Sequence, residues 1–108
     1  MSDAELKKGS AQTLILALLS EQAQHGYGIA KRIEERSGGA LAFHVTSLYP
    51  ILYRLEKQGL VRGYWQKPDG GRRRRYYEIT PAGESMLSER RASWRTFIDA
   101  VESVIEPA

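Results

Sequence analysis

The chain contains no cysteine. Disulfides, thiolate nucleophiles and cysteine-held metals are therefore excluded. Histidine is nearly absent too: His25 and His44 are distant in sequence, and no acid or cysteine completes a metal set with them. No nucleophile–base pair and no glycine-rich phosphate loop can be found, so neither an enzyme nor a cofactor is expected. The longest apolar run, residues 14–19, is far too short to span a membrane, and the Met1 end carries no apolar signal region. A soluble cytoplasmic protein without a membrane partner is the expectation. Net charge is small: 16 Lys+Arg against 13 Asp+Glu, or +3. With 42% hydrophobic and 27% charged residues, the 108-residue chain has the composition of one small globular domain with a modest core.

What is present is sharply placed. Arg72, Arg73, Arg74 and Arg75 are consecutive, while acids gather at Glu34-Glu35 and after Glu84. A local basic cluster in a nearly balanced chain suggests a surface that faces a polyanion. Just upstream, Leu48, Ile51, Leu52 and Leu55 fall at i, i+3, i+4 and i+7, the stripe of an amphipathic helix. Thr46, Tyr49, Pro50, Tyr53, Arg54 and Lys57 collect on its other side, which has hydroxyls, rings and cations but no acid. Pro50 lacks an N–H and belongs in a first turn, which sets the start near Thr46 or Ser47, with either hydroxyl as cap. Gly59 can close the helix in a left-handed conformation, with Leu60 folding back. On its residues alone the segment has two readings: a nucleic-acid reader, or a core helix with a solvated outer face.

The other elements follow from periodicity and punctuation. Residues 1–9 read as a loose or weakly helical arm, 11–22 as a buried helix, and 27–36 as a second helix stopped by Gly38-Gly39. Residues 60–67 and 72–79 read as two strands around the turn Pro68-Asp69-Gly70-Gly71. Alternation along the second strand prevents all four arginines from facing one way, so Arg75 is expected to serve the strand surface, and Tyr77 with Ile79 the core. Thr80 and Pro81 open a long last helix. Its apolar seam runs through Leu87, Trp94, Phe97, Ile98, Val101, Val104 and Ile105. A helix so apolar at the end of a small domain calls for a partner surface, most simply a second copy of the chain. Leu14 joins Leu87, Trp94, Phe97, Val101, Val104 and Ile105 as the expected dimerisation set. The alternative is a helix packed wholly on its own domain.

Three helices, a basic hairpin and a final helix make a mainly α chain with the winged helix-turn-helix plan. The expected organisation is an arm at 1–9, a DNA-binding domain at 10–80 and a dimerisation helix at 81–106. In such proteins the third helix, here about 46–58, enters the major groove. The expected DNA contacts are Thr46, Ser47, Tyr49, Tyr53, Arg54 and Lys57 from that helix. Arg72, Arg73 and Arg74 would serve phosphates from the wing at 67–75. Operator DNA and a homodimer are thus the expected partners. The competing reading is a winged-helix protein–protein interaction module without sequence-specific DNA binding.

Particular residues carry a family resemblance. Ser47-Leu48-Tyr49-Pro50, Arg54-Leu55-Glu56 and Gly59-Leu60-Val61 resemble the recognition helix of PadR-family transcriptional regulators. His25-Gly26-Tyr27-Gly28-Ile29 resembles the start of the family's second helix. Gly70-Gly71-Arg72-Arg73, Arg75-Tyr76-Tyr77, Ile79-Thr80 and Gly83 resemble its wing and final-helix entry. The similarity runs from residue 11 to about 105 and is to the short subfamily, whose members are usually dimeric repressors released by a small effector. Ser93-Trp94, Tyr64-Trp65 and Ala11-Gln12-Thr13 further resemble the multidrug-binding members. The resemblance implies an aromatic or lipophilic effector at the dimer axis, lined by Lys8, Ala11, Ile15, Trp94, Ile98 and Val101. Ile98 stands where those members have an acid, and Lys8 where they have an apolar residue. Trp94 also fits a second role, that of filling the dimer core.

Overall fold

The computed structural model describes residues 3–67 and 70–106, with side chains from residue 10 onward. The elements are α1 (Asp3–Glu21), β1 (Gln24–His25), α2 (Gly26–Arg36), α3 (Val45–Lys57), β2 (Val61–Gln66), β3 (Arg74–Ile79) and α4 (Pro81–Ile105). Helix α1 starts at Asp3, so the backbone of the expected arm from residue 3 onward is the helix's first turns.

The core lies where the three N-terminal helices meet one face of the sheet. Ile15 and Leu16 of α1, Ile29 of α2, and Leu48, Leu52 and Leu55 of α3 are fully buried. The stripe read from the sequence is therefore the inner face of α3, with Ile51 half-buried at its margin. Val61, Tyr77 and Leu87 close the core from β2, β3 and α4. Glu21 at the end of α1 pairs with Arg32 and Arg36, which ties α1 to α2 on the surface.

Two local features differ from expectation. The sheet has three strands in the order β1-β3-β2, all antiparallel, where a two-stranded hairpin was expected. Two residues are too few to show alternation, so β1 is visible only through its pairing with Tyr76 and Tyr77. Helix α3 begins at Val45, and its cap is His44, not Thr46 or Ser47. The His44 Nδ1 accepts from the Thr46 N–H at 3.4 Å and lies 2.8 Å from the Thr46 hydroxyl. Pro50 thus sits in the second turn. Its missing N–H deprives the Thr46 carbonyl of a helical partner, which is tolerable because Thr46 is exposed to water.

The end of α3 follows expectation. Gly59 has φ 75°, its N–H donates to the Glu56 carbonyl at 3.0 Å, and Leu60 N–H donates to the Leu55 carbonyl at 3.0 Å. These two bonds form a Schellman closure, with Leu60 folded into the core. Thr80 caps α4, accepting from Gly83 N–H at 3.1 Å. A 25-residue helix is about 37 Å long, so α4 outruns the domain and accounts for a longest dimension of 57 Å against 29 and 21 Å.

Candidate nucleic-acid interface

Helix α3 turns Thr46, Ser47, Tyr49, Pro50, Tyr53, Arg54 and Lys57 outward, all exposed. Tyr53 is 62% exposed and Tyr49 41%. Tyr49 also rests against α2: a Cβ built on Gly26 would lie 3.0 Å from its ring. The Thr46 hydroxyl is engaged by His44, and the Lys57 ammonium lies 5.4 Å from the Tyr53 ring centroid. Arg54 forms no ion pair among the described residues. The surface offers cations, hydroxyls and rings, the groups that meet phosphates and base edges.

The arginine run divides as strand alternation demands. Arg72 and Arg73 are exposed at the wing, and Arg73 stacks 4.9 Å from the Trp65 centroid. Arg74 is half-buried and lies 5.6 Å from the Tyr27 ring, on the sheet face away from the core. It stands with α2 and apart from Arg73. Arg75 turns inward and pairs with Glu56 of α3 at 2.8 Å. Pro68 and Asp69 of the expected turn lie outside the described residues.

Sequence reasoning missed two aromatic residues beside this surface. Trp65 is 54% exposed on the wing and Tyr27 58% exposed on α2, each faced by an arginine. Cross-strand register would have found the first, since Trp65 pairs with Arg75. Across the sheet's outer face, Tyr64 stacks on Tyr76 with centroids 6.0 Å apart, and His25 meets Tyr76 edge-on at 5.2 Å.

His25 is also the cap of α2, its Nδ1 accepting from Gly28 N–H at 3.1 Å. Burial, and then the charge of Arg74, hold its imidazole below the usual histidine range. A protonated Nδ1 cannot accept that bond. As pH falls through the ordinary value of about 6.5, the unfolded chain takes up the proton first, and the folded state loses stability until its own lower value is passed. His25→Asn keeps a capping acceptor without titrating. Thermal melts are expected to show the parent losing more stability than His25→Asn between neutral and mildly acidic pH. Equal losses would dissociate the cap from the titration.

The residues assigned to dimerisation and effector binding separate into two groups. Trp94, Phe97, Val104 and Ile105 are exposed, while Ile98 and Val101 are half-buried. Three expectations need correction. Ala11 and Ile15 are 0% exposed and Leu87 1%: the first two point into the protomer's own core rather than a pore, and Leu87 packs there rather than on a partner. The pattern on α1 is apolar on more than one face, and the face that holds Ala11 and Ile15 is buried within the protomer. Leu14 is half-buried, and the Lys8 side chain lies outside the described residues. The open space beside Trp94 is a groove of about 560 Å³ lined by Thr13, Met86, Glu89, Arg90, Trp94 and Phe97. The Trp94 and Phe97 rings stand 6.0 Å apart.

Among the described residues no three metal-ligating side chains converge, and no helix is long and apolar enough to cross a membrane. A helix pair leading into an exposed α3, followed by a basic two-stranded wing, defines a winged helix-turn-helix protein. Residues 15–89 match the transcriptional regulator PadR-like family. A transcriptional regulator of Clostridium thermocellum superposes with a TM-score of 0.86 at 29% identity, over 98% of this chain and 99% of that one. A PadR-family regulator of Eggerthella lenta gives 0.82 at 30% identity, over 97% and 89%. The transcriptional regulator Rv3488 of Mycobacterium tuberculosis is 36% identical over 74 residues, which is 68% of this chain and 55% of that relative. The chain belongs to the PadR-like family of transcriptional regulators. It is a DNA-binding regulator by that membership.

Proposed function

We propose that the protein is a homodimeric repressor that reads operator DNA with α3 in the major groove and sets its wing on the flanking phosphates. The carrying observation is the outer face of α3: exposed hydroxyls, rings and Arg54, beside a wing that presents Arg72 and Arg73. The exposed apolar residues of α4 support the dimer, and a two-fold dimer would bind a palindromic site. The groove beside Trp94 supports an effector site for a flat aromatic or lipophilic compound, in which α4 and α1 supply Trp94, Phe97 and Thr13.

The test is titration of a duplex selected from a randomised pool by the unmodified protein. Arg54→Ala is expected to weaken binding to that duplex by about tenfold while leaving generic DNA binding nearly unchanged, as loss of a base contact does. Arg73→Gln is expected to weaken both and to lower the salt slope by about one. Selection of no preferred sequence would overturn the reading in favour of a protein-binding module. Repeating the titration with flat aromatic compounds tests the effector site: release is expected, and Trp94→Phe is expected to blunt it.

A further inference from the structure

Arg75 differs from the three arginines before it in being ion-paired to an acid of α3. It shares the inner face of β3 with Tyr77, which is buried, and its guanidinium lies flat across Gly63 of β2. A Cβ on Gly63 would fall 2.7 Å from Nη2 and 2.8 Å from Nε, so the glycine provides the space the guanidinium occupies. Nη2 donates to Glu56 Oε2 at 2.8 Å, in the last turn of α3, with both side chains 31% exposed. The same guanidinium stands 5.5 Å from the Trp65 centroid, and Arg73 stands 4.9 Å from that ring. A continuous series of contacts therefore runs from α3 through Glu56, Arg75 and Trp65 to Arg73 on the wing.

A two-stranded ribbon twists easily on its own. A wing held only at its base would lose that freedom on binding and weaken the complex accordingly. We propose that Arg75, with Glu56, is a positioning residue for DNA binding: it props the wing against α3 so that Arg73 is held at a set offset from the outer face of that helix. On this inference Arg75 touches no phosphate. It rests on the reading of α3 and the wing as the DNA-contacting surface.

Two measurements on the full chain test it. The first is affinity and salt dependence on the selected duplex for Glu56→Gln, Arg75→Gln, Arg75→Lys and the double variant Glu56→Gln/Arg75→Gln, with Arg73→Gln as the reference for a phosphate contact. Each single variant at Glu56 or Arg75 is expected to lose about fivefold in affinity, and the double variant no more than either, as coupled partners behave. Their salt slopes are expected to match the parent, whereas Arg73→Gln drops by about one. Arg75→Lys keeps the charge but not the planar stack, so it should also lose affinity. The second measurement needs no DNA. In a Trp94→Phe background, Trp65 is the only tryptophan, and acrylamide should quench it more readily in Glu56→Gln, although the contact passes through Arg75. The inference is overturned by a drop of about one in the salt slope of Arg75→Gln, by unchanged or tighter binding in Glu56→Gln, or by unchanged Trp65 quenching. An unchanged slope in Arg73→Gln would instead count against the wing as a phosphate contact, while Trp65 quenching would still decide the prop.

Discussion

Phe97→Asp combined with Val104→Asp is expected to convert the protein to a folded monomer and to lower operator affinity by about 100-fold or more, the loss when two half-sites are no longer tethered. In the single chain Phe97 is 53% exposed and Val104 84%, so a carboxylate at either position remains in water and leaves the core undisturbed. Only if α4 packs against another copy must those carboxylates be dehydrated, at a cost an unpaired charge cannot recover. Trp94 and Ile105 extend the same exposed apolar surface, 52% and 67% exposed. Sedimentation velocity checks the mass, circular dichroism the fold, and duplex titration the affinity. A double variant that stays dimeric would move the interface elsewhere.

Gly83→Ala is expected to destabilise the fold by about 3 kcal/mol, toward the upper end of overpacking costs. The sign is opposite to that at an open helical site, where the same change gains about 0.5–1 kcal/mol. Gly83 lies in the first turn of α4, and a Cβ there would come within 2.1 Å of the Leu60 carbonyl oxygen and 2.6 Å of Ile79 Cγ1. That carbonyl cannot easily withdraw. It accepts from Thr80 N–H at 3.1 Å, while the Thr80 hydroxyl donates to the Gly59 carbonyl at 2.7 Å. The end of α3, the start of β2 and the start of α4 are therefore fastened at one point. Denaturant titration checks the prediction, with Ser85→Ala, exposed two residues on, as the control that should be nearly neutral or slightly stabilising. Stability equal to the parent would mean that α4 can shift at this joint.

Much of this architecture was legible because its determinants are local. The stripe Leu48, Leu52, Leu55 needs only helical periodicity, and the φ of Gly59 and the cap at Thr80 need only their immediate neighbours. Strand alternation, a local rule, set Arg75 aside in advance, but the expected trio does not stay together: Arg73 shares the Trp65 ring with Arg75, while Arg74 lies beside Tyr27. His44 escaped notice because an imidazole acceptor is a less familiar cap than the adjacent Thr46 and Ser47 hydroxyls. Arg75 was placed on the strand surface, but its partner Glu56 lies 19 residues away, and only the register of β2 against β3 brings Trp65 and Gly63 beneath it.

The pore residues show the opposite limit. The family resemblance grouped Ala11 and Ile15 with Trp94, yet both point into the protomer's core while Trp94 stands at its surface. A helix as apolar as α1 has no single face that its sequence marks as inner. The sequence by itself determined the four helices and the hairpin, their order, the inner face of α3, the basic wing and the family, since each depends on spacing along one element or one turn. Tertiary packing alone decided which face of α1 is buried, which arginine reaches α3 and which part of α4 is left bare. Those outcomes depend on which surfaces compete for the same apolar and charged partners once distant segments meet.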